Sequence, residues 1–235
     1  ILGIDCFNVN DPADIEPLAV LHTGSTLLML DLDGNNFKDL IIGDLNFNTL
    51  TAVLNGGPSD AGPDSMVASI NDFPNPINPN EIITFPASYY EDVNNDGIKD
   101  LIVSPNAEFV SEDVDAVDLY LNTGANNNPQ FTLTSNAFLQ EDMIDVGEGA
   151  YPVFFDVDKD GLIDLLVGNR KRIKNGIENA SINYFKNTGS ASNPAFSLIS
   201  DDFFELSTKN IGAAFFPSFM DLNGDNAEDL IIGNL

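Results

Sequence analysis

The acidic residues of this chain recur in a pattern that suits the binding of a hard cation. In residues 156–168, oxygen-bearing side chains occupy positions 1, 3, 5 and 9, and a glycine at position 6 permits a sharp turn. Oxygen ligands at this spacing are typical of a loop that folds around calcium. The loop leads directly into a short apolar segment with the composition of a β-strand.

The same pattern occurs four times, starting at residues 31, 92, 156 and 221, so successive copies lie 61, 64 and 65 residues apart. A steady period of this length indicates a repeat architecture. The predicted ligands are the side chains at positions 1, 3, 5 and 9 and the backbone carbonyl at position 7. They are Asp31, Asp33, Asn35, Phe37 and Asp39; Asp92, Asn94, Asp96, Ile98 and Asp100; Asp156, Asp158, Asp160, Leu162 and Asp164; and Asp221, Asn223, Asp225, Ala227 and Asp229.

Two other interpretations of these loops fit less well. An EF-hand needs a bidentate glutamate at position 12, but that position is aliphatic in every copy: Ile42, Val103, Val167 and Ile232. Simple hairpin turns would not repeat oxygen side chains at four matching positions. Asn36 and Asn226 replace the glycine in two loops, and asparagine tolerates a left-handed backbone better than most residues. We therefore predict up to four calcium ions.

The elements that must position these loops are short strands. Each repeat predicts strands A to D, and the aspartate loop joins A to B. Strand C ends in a turn that begins at Asn55, Asn122 or Asn187. The predicted strands are A at 27–30, 85–90, 152–155 and 216–220; B at 40–43, 101–103, 165–168 and 230–233; C at 51–54, 118–121 and 183–185; and D at 66–70, 130–134 and 195–199.

Four strands per repeat of this length favour an all-β fold, a β-propeller of four-stranded blades. The predicted organisation is an opening segment at 1–24, three full blades at 25–80, 81–139 and 140–205, and the first half of a fourth at 206–235. Because the fourth blade is incomplete, we expect the chain to be part of a larger propeller. A short β-solenoid-like stack is the alternative.

The four segments resemble FG-GAP/VCBS repeats, the calcium-loop blades also found in the propeller of integrin α-subunits. This resemblance implies that positions 1, 3, 5, 7 and 9 ligate the ion and that the loop joins the first two strands of a blade. The Asn-Thr-Gly…Asn-Pro-x-Phe elements that begin at Asn122 and Asn187 resemble repeats in secreted and surface proteins of gliding Gram-negative bacteria. Many of those proteins are exported by the type IX secretion system.

Net charge excludes one class of partner and favours another. The chain carries −28, with 37 acids against 9 bases, so it should not bind nucleic acid through phosphates. No apolar run of about 18 residues occurs, so we expect no membrane insertion. Bound dications would cancel part of the charge, and we expect the fold to loosen when calcium is removed. Weak calcium loops suit millimolar extracellular calcium, which favours a secreted or cell-surface location.

Catalysis has little support in the sequence, and we expect a protein that is not an enzyme. His22 is the only histidine and Cys6 the only cysteine, so a histidine-based triad has one possible centre and no intrachain disulfide can form. A pair of carboxylates for glycoside cleavage stays open, but the most prominent acids are assigned to metal. The basic residues at 170–174 are read as balancing local acids, with contact to an anionic partner as the alternative.

The expected role is recognition or adhesion. Loops of variable length on a rigid scaffold often carry binding, so a protein or glycan ligand is expected on the variable-loop face, and the secretion machinery is a further partner. That face comprises residues 44–50, 71–82, 105–116, 140–150, 169–181 and 206–214. The alternative is a carbohydrate-binding propeller or an accessory module of a polysaccharide-degrading enzyme. A third hypothesis is that the segment is passive cargo or a stalk.

Overall fold

The computed structural model describes residues 25–45, 47–58, 64–74, 85–107, 111, 113–174 and 177–235. The predicted opening segment, with Cys6 and His22, lies outside the described residues. The strands are β1 (Ser25–Leu30), β2 (Asp39–Asp44), β3 (Leu50–Pro58), β4 (Asp64–Phe73), β5 (Pro86–Glu91), β6 (Asp100–Pro105), β7 (Asp118–Asn122), β8 (Phe131–Ser135), β9 (Tyr151–Phe155), β10 (Asp164–Gly168), β11 (Arg172–Lys174), β12 (Ile177–Asn179), β13 (Ile182–Asn187), β14 (Phe196–Ser200), β15 (Phe216–Met220) and β16 (Asp229–Gly233).

These strands make three four-stranded antiparallel sheets and two two-stranded ones. The sheet orders are β1-β2-β3-β4, β5-β6-β7-β8 and β9-β10-β13-β14, and β15 pairs with β16. The all-β class is therefore confirmed, and every predicted strand overlaps an observed one. One short 3-10 helix follows β14, at Phe203–Thr208. Within the described part of the chain, no helix is both long and apolar enough to cross a membrane.

Two local predictions are wrong. The turn expected at residues 55–57 is part of β3, which runs on to Pro58 because its partner β4 is long enough to pair Pro58 with Asp64. The pairing of β3 with β4 shifts register on both sides of Asn55, so the two glycines that follow it lie within the strand. Residues 169–181, expected to be a variable loop without strands of its own, contain the hairpin β11–β12, which forms its own two-stranded sheet.

The core lies between sheets and on both faces of β10. One cluster joins the first two sheets, with Leu30, Ile41 and Leu101 fully buried. A second joins the third sheet to β15–β16 around Leu166, and a third covers the other face of the third sheet around Leu165. Successive side chains of a strand point to opposite faces, so burial of both faces explains the unbroken apolar run of β10.

Successive sheets approach each other closely at a glycine at or next to the end of the second strand of a sheet. A Cβ added to Gly43 would lie 1.8 Å from the carbonyl oxygen of Pro86, and one added to Gly168 would lie 2.0 Å from that of Phe215. Both carbonyls lie at or next to the start of the first strand of the next sheet. The second repeat has Ser104 at this position, and Gly233 in the fourth has no other atom within 3.4 Å of its added Cβ.

This contact predicts different costs for one substitution at equivalent positions. Gly168→Ala should lower the free energy of unfolding by about 1–3 kcal/mol, because the methyl group overlaps a neighbouring backbone that must shift. Gly233→Ala is the matched control and should change it by less than about 0.5 kcal/mol. Urea denaturation of the two variants measures the difference. Equal stability would show that the sheets do not approach as described.

Candidate metal centres

All twenty predicted ligands lie in four loops of one construction, at residues 31–39, 92–100, 156–164 and 221–229. These loops join β1 to β2, β5 to β6, β9 to β10 and β15 to β16. In each, the loop's own amides fix the acidic side chains. The Asp156 carboxylate accepts hydrogen bonds from the amides of Asp160 (3.1 Å) and Gly161 (2.9 Å). Asp160 in turn accepts one from the amide of Leu162 (2.9 Å).

The other three loops repeat these bonds. Position 1 accepts from the amide at position 6 in the pairs Asp31–Asn36, Asp92–Gly97 and Asp221–Asn226, each at 2.9 Å. Position 5 accepts from the amide at position 7 in the pairs Asn35–Phe37, Asp96–Ile98 and Asp225–Ala227, at 2.7–2.8 Å. Each loop is therefore shaped by hydrogen bonds between its own backbone amides and its own side-chain oxygens.

The aspartate at position 9 ties the loop to the sheet. Asp164 is fully buried; its Oδ2 accepts from the amide of Val157 (3.0 Å), and its Oδ1 accepts from the amide of Asn187 on β13 (2.8 Å). The same two bonds recur in the first two repeats, from Leu32 and Asn55 to Asp39 and from Val93 and Asn122 to Asp100. Asp229 accepts from Leu222 (3.0 Å) and is only half-buried.

The asparagine at the end of strand C continues this link. The side-chain carbonyl of Asn122 accepts from the amides of Gly124 and Gln130 (both 2.9 Å), and its amide group donates to the carbonyl of Lys99 (3.1 Å). Asn187 does the same in the third sheet. Sequence reasoning treated these asparagines as turn residues and missed their bond to position 9. Their recurrence in every C strand was the available signal.

Two of the four loops gather three carboxylates. Oxygen atoms of Asp31, Asp33 and Asp39 lie within 4.8 Å of one another, and so do those of Asp156, Asp158 and Asp164. Among the described residues, these are the acidic groups arranged closely enough to share one ion. All donors are oxygen, the ligand type that calcium prefers. The set therefore fits a hard cation.

The second and fourth loops carry asparagine at position 3. Asn94 donates its amide group to Asp96 Oδ2 (2.9 Å), and Asn223 donates to Asp225 Oδ2 (3.0 Å). Each also accepts a hydrogen bond on its carbonyl oxygen from the amide at position 5. Amide oxygens are accepted calcium ligands, so these loops keep the donor type with one carboxylate fewer at position 3.

Lys186 contacts the third loop, and the sequence did not indicate this contact. Its ammonium contacts the carboxylates of Asp158 and Asp160, the latter at 3.1 Å. These two hydrogen bonds raise the pKa of Lys186. The pKa of Asp160 is lowered, first by the amide of Leu162 and then by Lys186. The residue before the strand-C asparagine is leucine in the other two sheets, and this difference was the only signal.

Two further pKa shifts describe the surroundings of the loops. Burial and the neighbouring Asp164 carboxylate raise the pKa of Tyr184 to about 12, so the hydroxyl that donates to Asp164 Oδ2 (3.2 Å) keeps its proton at neutral pH. The amides of Asn226 and Gly224 lower the pKa of Asp221. The lowered pKa keeps the Asp221 carboxylate in the charged form that a cation requires.

Comparison with known families agrees with the repeat pattern. Residues 92–167 match the family described as FG-GAP-like repeat. The match runs from position 1 of the second loop to position 12 of the third, so it covers one complete repeat and the next loop. It supports the FG-GAP part of the resemblance seen in the sequence. No curated protein matches the chain.

Positions 9 and 5 of the third loop should respond differently to truncation. Asp164→Ala should lower the free energy of unfolding by about 3 kcal/mol in EDTA, because it leaves the buried amide of Asn187 and a second amide without an acceptor. Asp160→Ala, at an exposed position, should change it by less than about 0.5 kcal/mol. Because EDTA removes metal ions, denaturation in its presence measures the loss of the hydrogen bonds alone. Equal losses would contradict the structural role of position 9.

Proposed function

We propose that the three four-stranded sheets and the β15–β16 pair are blades of a calcium-stabilised β-propeller. The support is the recurrence of one meander with one loop between its first two strands, together with the FG-GAP-like match. On this proposal, residues 25–80, 81–139 and 140–205 form full blades, and residues 206–235 form half of a fourth. The close approach of strand B to the start of the next sheet is the packing that neighbouring blades need.

Calcium is proposed because of one observation: two loops each bring three carboxylates within 4.8 Å. The second and fourth loops repeat the construction with an amide oxygen in place of one carboxylate. The side chains at positions 1, 3, 5 and 9 would hold the ion, and in the first three loops the side chain at position 9 is also bonded to strand C. Calcium would therefore hold the loop, the first hairpin and the third strand together.

A secreted or cell-surface location is proposed because calcium loops of extracellular proteins bind the ion weakly. Extracellular calcium modules bind at about 10⁻⁴–10⁻³ M, which suits surroundings rich in calcium. Export by the type IX secretion system is proposed on the Asn-Thr-Gly…Asn-Pro-x-Phe elements alone. Thr123 and Thr188 of these elements lie in the turns between β7 and β8 and between β13 and β14.

The proposed role is recognition or adhesion without catalysis, on the variable-loop face. The hairpin β11–β12 lies within one of the variable loops, and residues at its base border a cavity of about 580 Å³. Arg170 pairs with Glu148 (2.7 Å), and Lys171 lies near Glu148 and Glu178 (3.8 and 3.6 Å). These ion pairs favour the reading in which the basic cluster balances local acids. The cavity is lined by groups of both charges.

The alternative function, carbohydrate binding, is favoured by this cavity. Asn179, Asn210 and Ser207 line it together with the paired charges. Amides, hydroxyls and carboxylates are the donors and acceptors that a sugar's hydroxyl groups need. A glycan ligand would bind there, at the end of the strands opposite the calcium loops.

Removing one carboxylate from each of the two convergent loops should reduce calcium binding. Isothermal titration should give up to four calcium ions for the natural chain and about two fewer for Asp33→Ala/Asp158→Ala. If each site has a Kd of about 0.1 mM, then about 1 mM calcium adds about 1.4 kcal/mol of stability per site. Thermal unfolding with and without EDTA checks this gain.

The control for this experiment is Asp142→Ala, which removes a carboxylate outside the loops. It should keep the stoichiometry of the natural chain. The calcium proposal is wrong if the natural chain binds no calcium, or if the double variant binds as many ions as the control.

A glycan array separates the two proposed roles. If a glycan binds, Asn179→Ala/Asn210→Ala should weaken it about tenfold or more, because the loss of hydrogen bonds to the ligand costs about 1.4 kcal/mol or more. Asn136→Ala, exposed and outside the cavity, is the control. The carbohydrate proposal is wrong if no glycan binds or if the double variant binds as well as the control, and protein contacts are then favoured.

A further inference from the structure

A lysine of the chain itself contacts two predicted ligands of the third loop. Lys186 extends from β13, and its ammonium contacts Asp158 and Asp160, at positions 3 and 5. One third of its side chain is exposed, so the ammonium can leave the loop for solvent without unfolding β13. The contact joins residues 28 positions apart in the chain, and it is made by tertiary structure.

We propose that Lys186 is a tethered competitor that lowers the calcium affinity of the third loop. This inference rests on the proposed calcium binding. The ammonium and a dication need the same carboxylate oxygens, so the lysine must withdraw when calcium enters. Two of the four predicted side-chain ligands, Asp158 and Asp160, are involved. The competition therefore acts directly on the ligand set.

The charge of the loops supports a balancing role for this lysine. The third loop has carboxylates at all four side-chain positions, whereas each of the others has three carboxylates and one asparagine. The ammonium therefore brings the third loop to the same net ligand charge as its neighbours. Without it, the fourth carboxylate would make this loop the tightest of the four.

In the first two sheets, a leucine occupies the place that Lys186 has in the third. Leu121 occupies the equivalent place in β7, since Leu121 pairs with Thr132 and Asn122 with Phe131, as Lys186 pairs with Ser197 and Asn187 with Phe196. Leu54 precedes Asn55 in β3. Neither leucine carries a charge, so only the third loop of the three has an internal cation at this place.

The functional consequence is a loop that stays ordered over a wide range of calcium concentrations. With little calcium, Lys186 neutralises part of the loop and bridges it to β13. With more calcium, the ion takes over the same oxygens. The third repeat would thus keep its loop geometry when the others begin to lose theirs.

Site-resolved calcium titration tests the proposal on the whole chain. The amides of Gly161 and Gly97, at position 6 of the third and second loops, report each site separately by ¹H–¹⁵N NMR. In Lys186→Met, the calcium midpoint for Gly161 should fall about tenfold, as expected when one unit charge near a dication is removed in a water-exposed site. The midpoint for Gly97 should not change.

Lys209→Met is the matched control, because it removes a lysine charge outside the four loops and the strands that they join and should leave both midpoints unchanged. The reciprocal variant Leu121→Lys should raise the midpoint of Gly97 about tenfold and leave Gly161 unchanged. If both glycines respond to calcium, the calcium proposal stands. The inference alone is then overturned if the calcium midpoint of Gly161 is the same in Lys186→Met as in the natural chain or in Lys209→Met. If neither glycine responds in any variant, the calcium proposal fails and the inference fails with it.

Discussion

The structure depends on a buried carboxylate at position 9 of each of the first three loops. Asp39, Asp100 and Asp164 are almost completely removed from solvent. A buried charge is tolerated only where hydrogen bonds replace its hydration. Each of these carboxylates accepts one amide from its own loop and one from the strand-C asparagine. A single side chain thus fixes the loop, the first hairpin and the third strand.

The position 9 carboxylate is both a predicted metal ligand and a hydrogen-bond acceptor that holds the sheet together. The asparagine that donates to position 9 also holds the turn after strand C, as Asn122 and Asn187 show. The path of hydrogen bonds runs from the loop through the carboxylate to the next hairpin. An ion bound in the loop would therefore act on three strands, although it contacts only one short segment. The half-buried Asp229 has the loop bond to Leu222.

The repeats are not equivalent beyond this shared construction. Gly43 and Gly168 let the backbone of the next sheet approach, whereas the second repeat has Ser104 at that place. Between the second and third sheets, the described hydrogen bonds run instead through Asp113, which bonds to Ile173 on β11. The hairpin β11–β12 therefore belongs to the contact between neighbouring sheets as well as to the edge that carries the variable loops.

The sequence by itself determined the repeats, the all-β class, the approximate strands and the loops that carry the acidic residues. These features depend on alternation, turn residues and spacing, which are local properties. Tertiary structure decided the rest. The bond from Asn187 to Asp164 spans 23 residues, and the contact of Lys186 with Asp158 spans 28. The extension of β3 through Asn55 depends on the length of its partner β4. Such contacts depend on which strands lie side by side, and no short stretch of sequence contains that information.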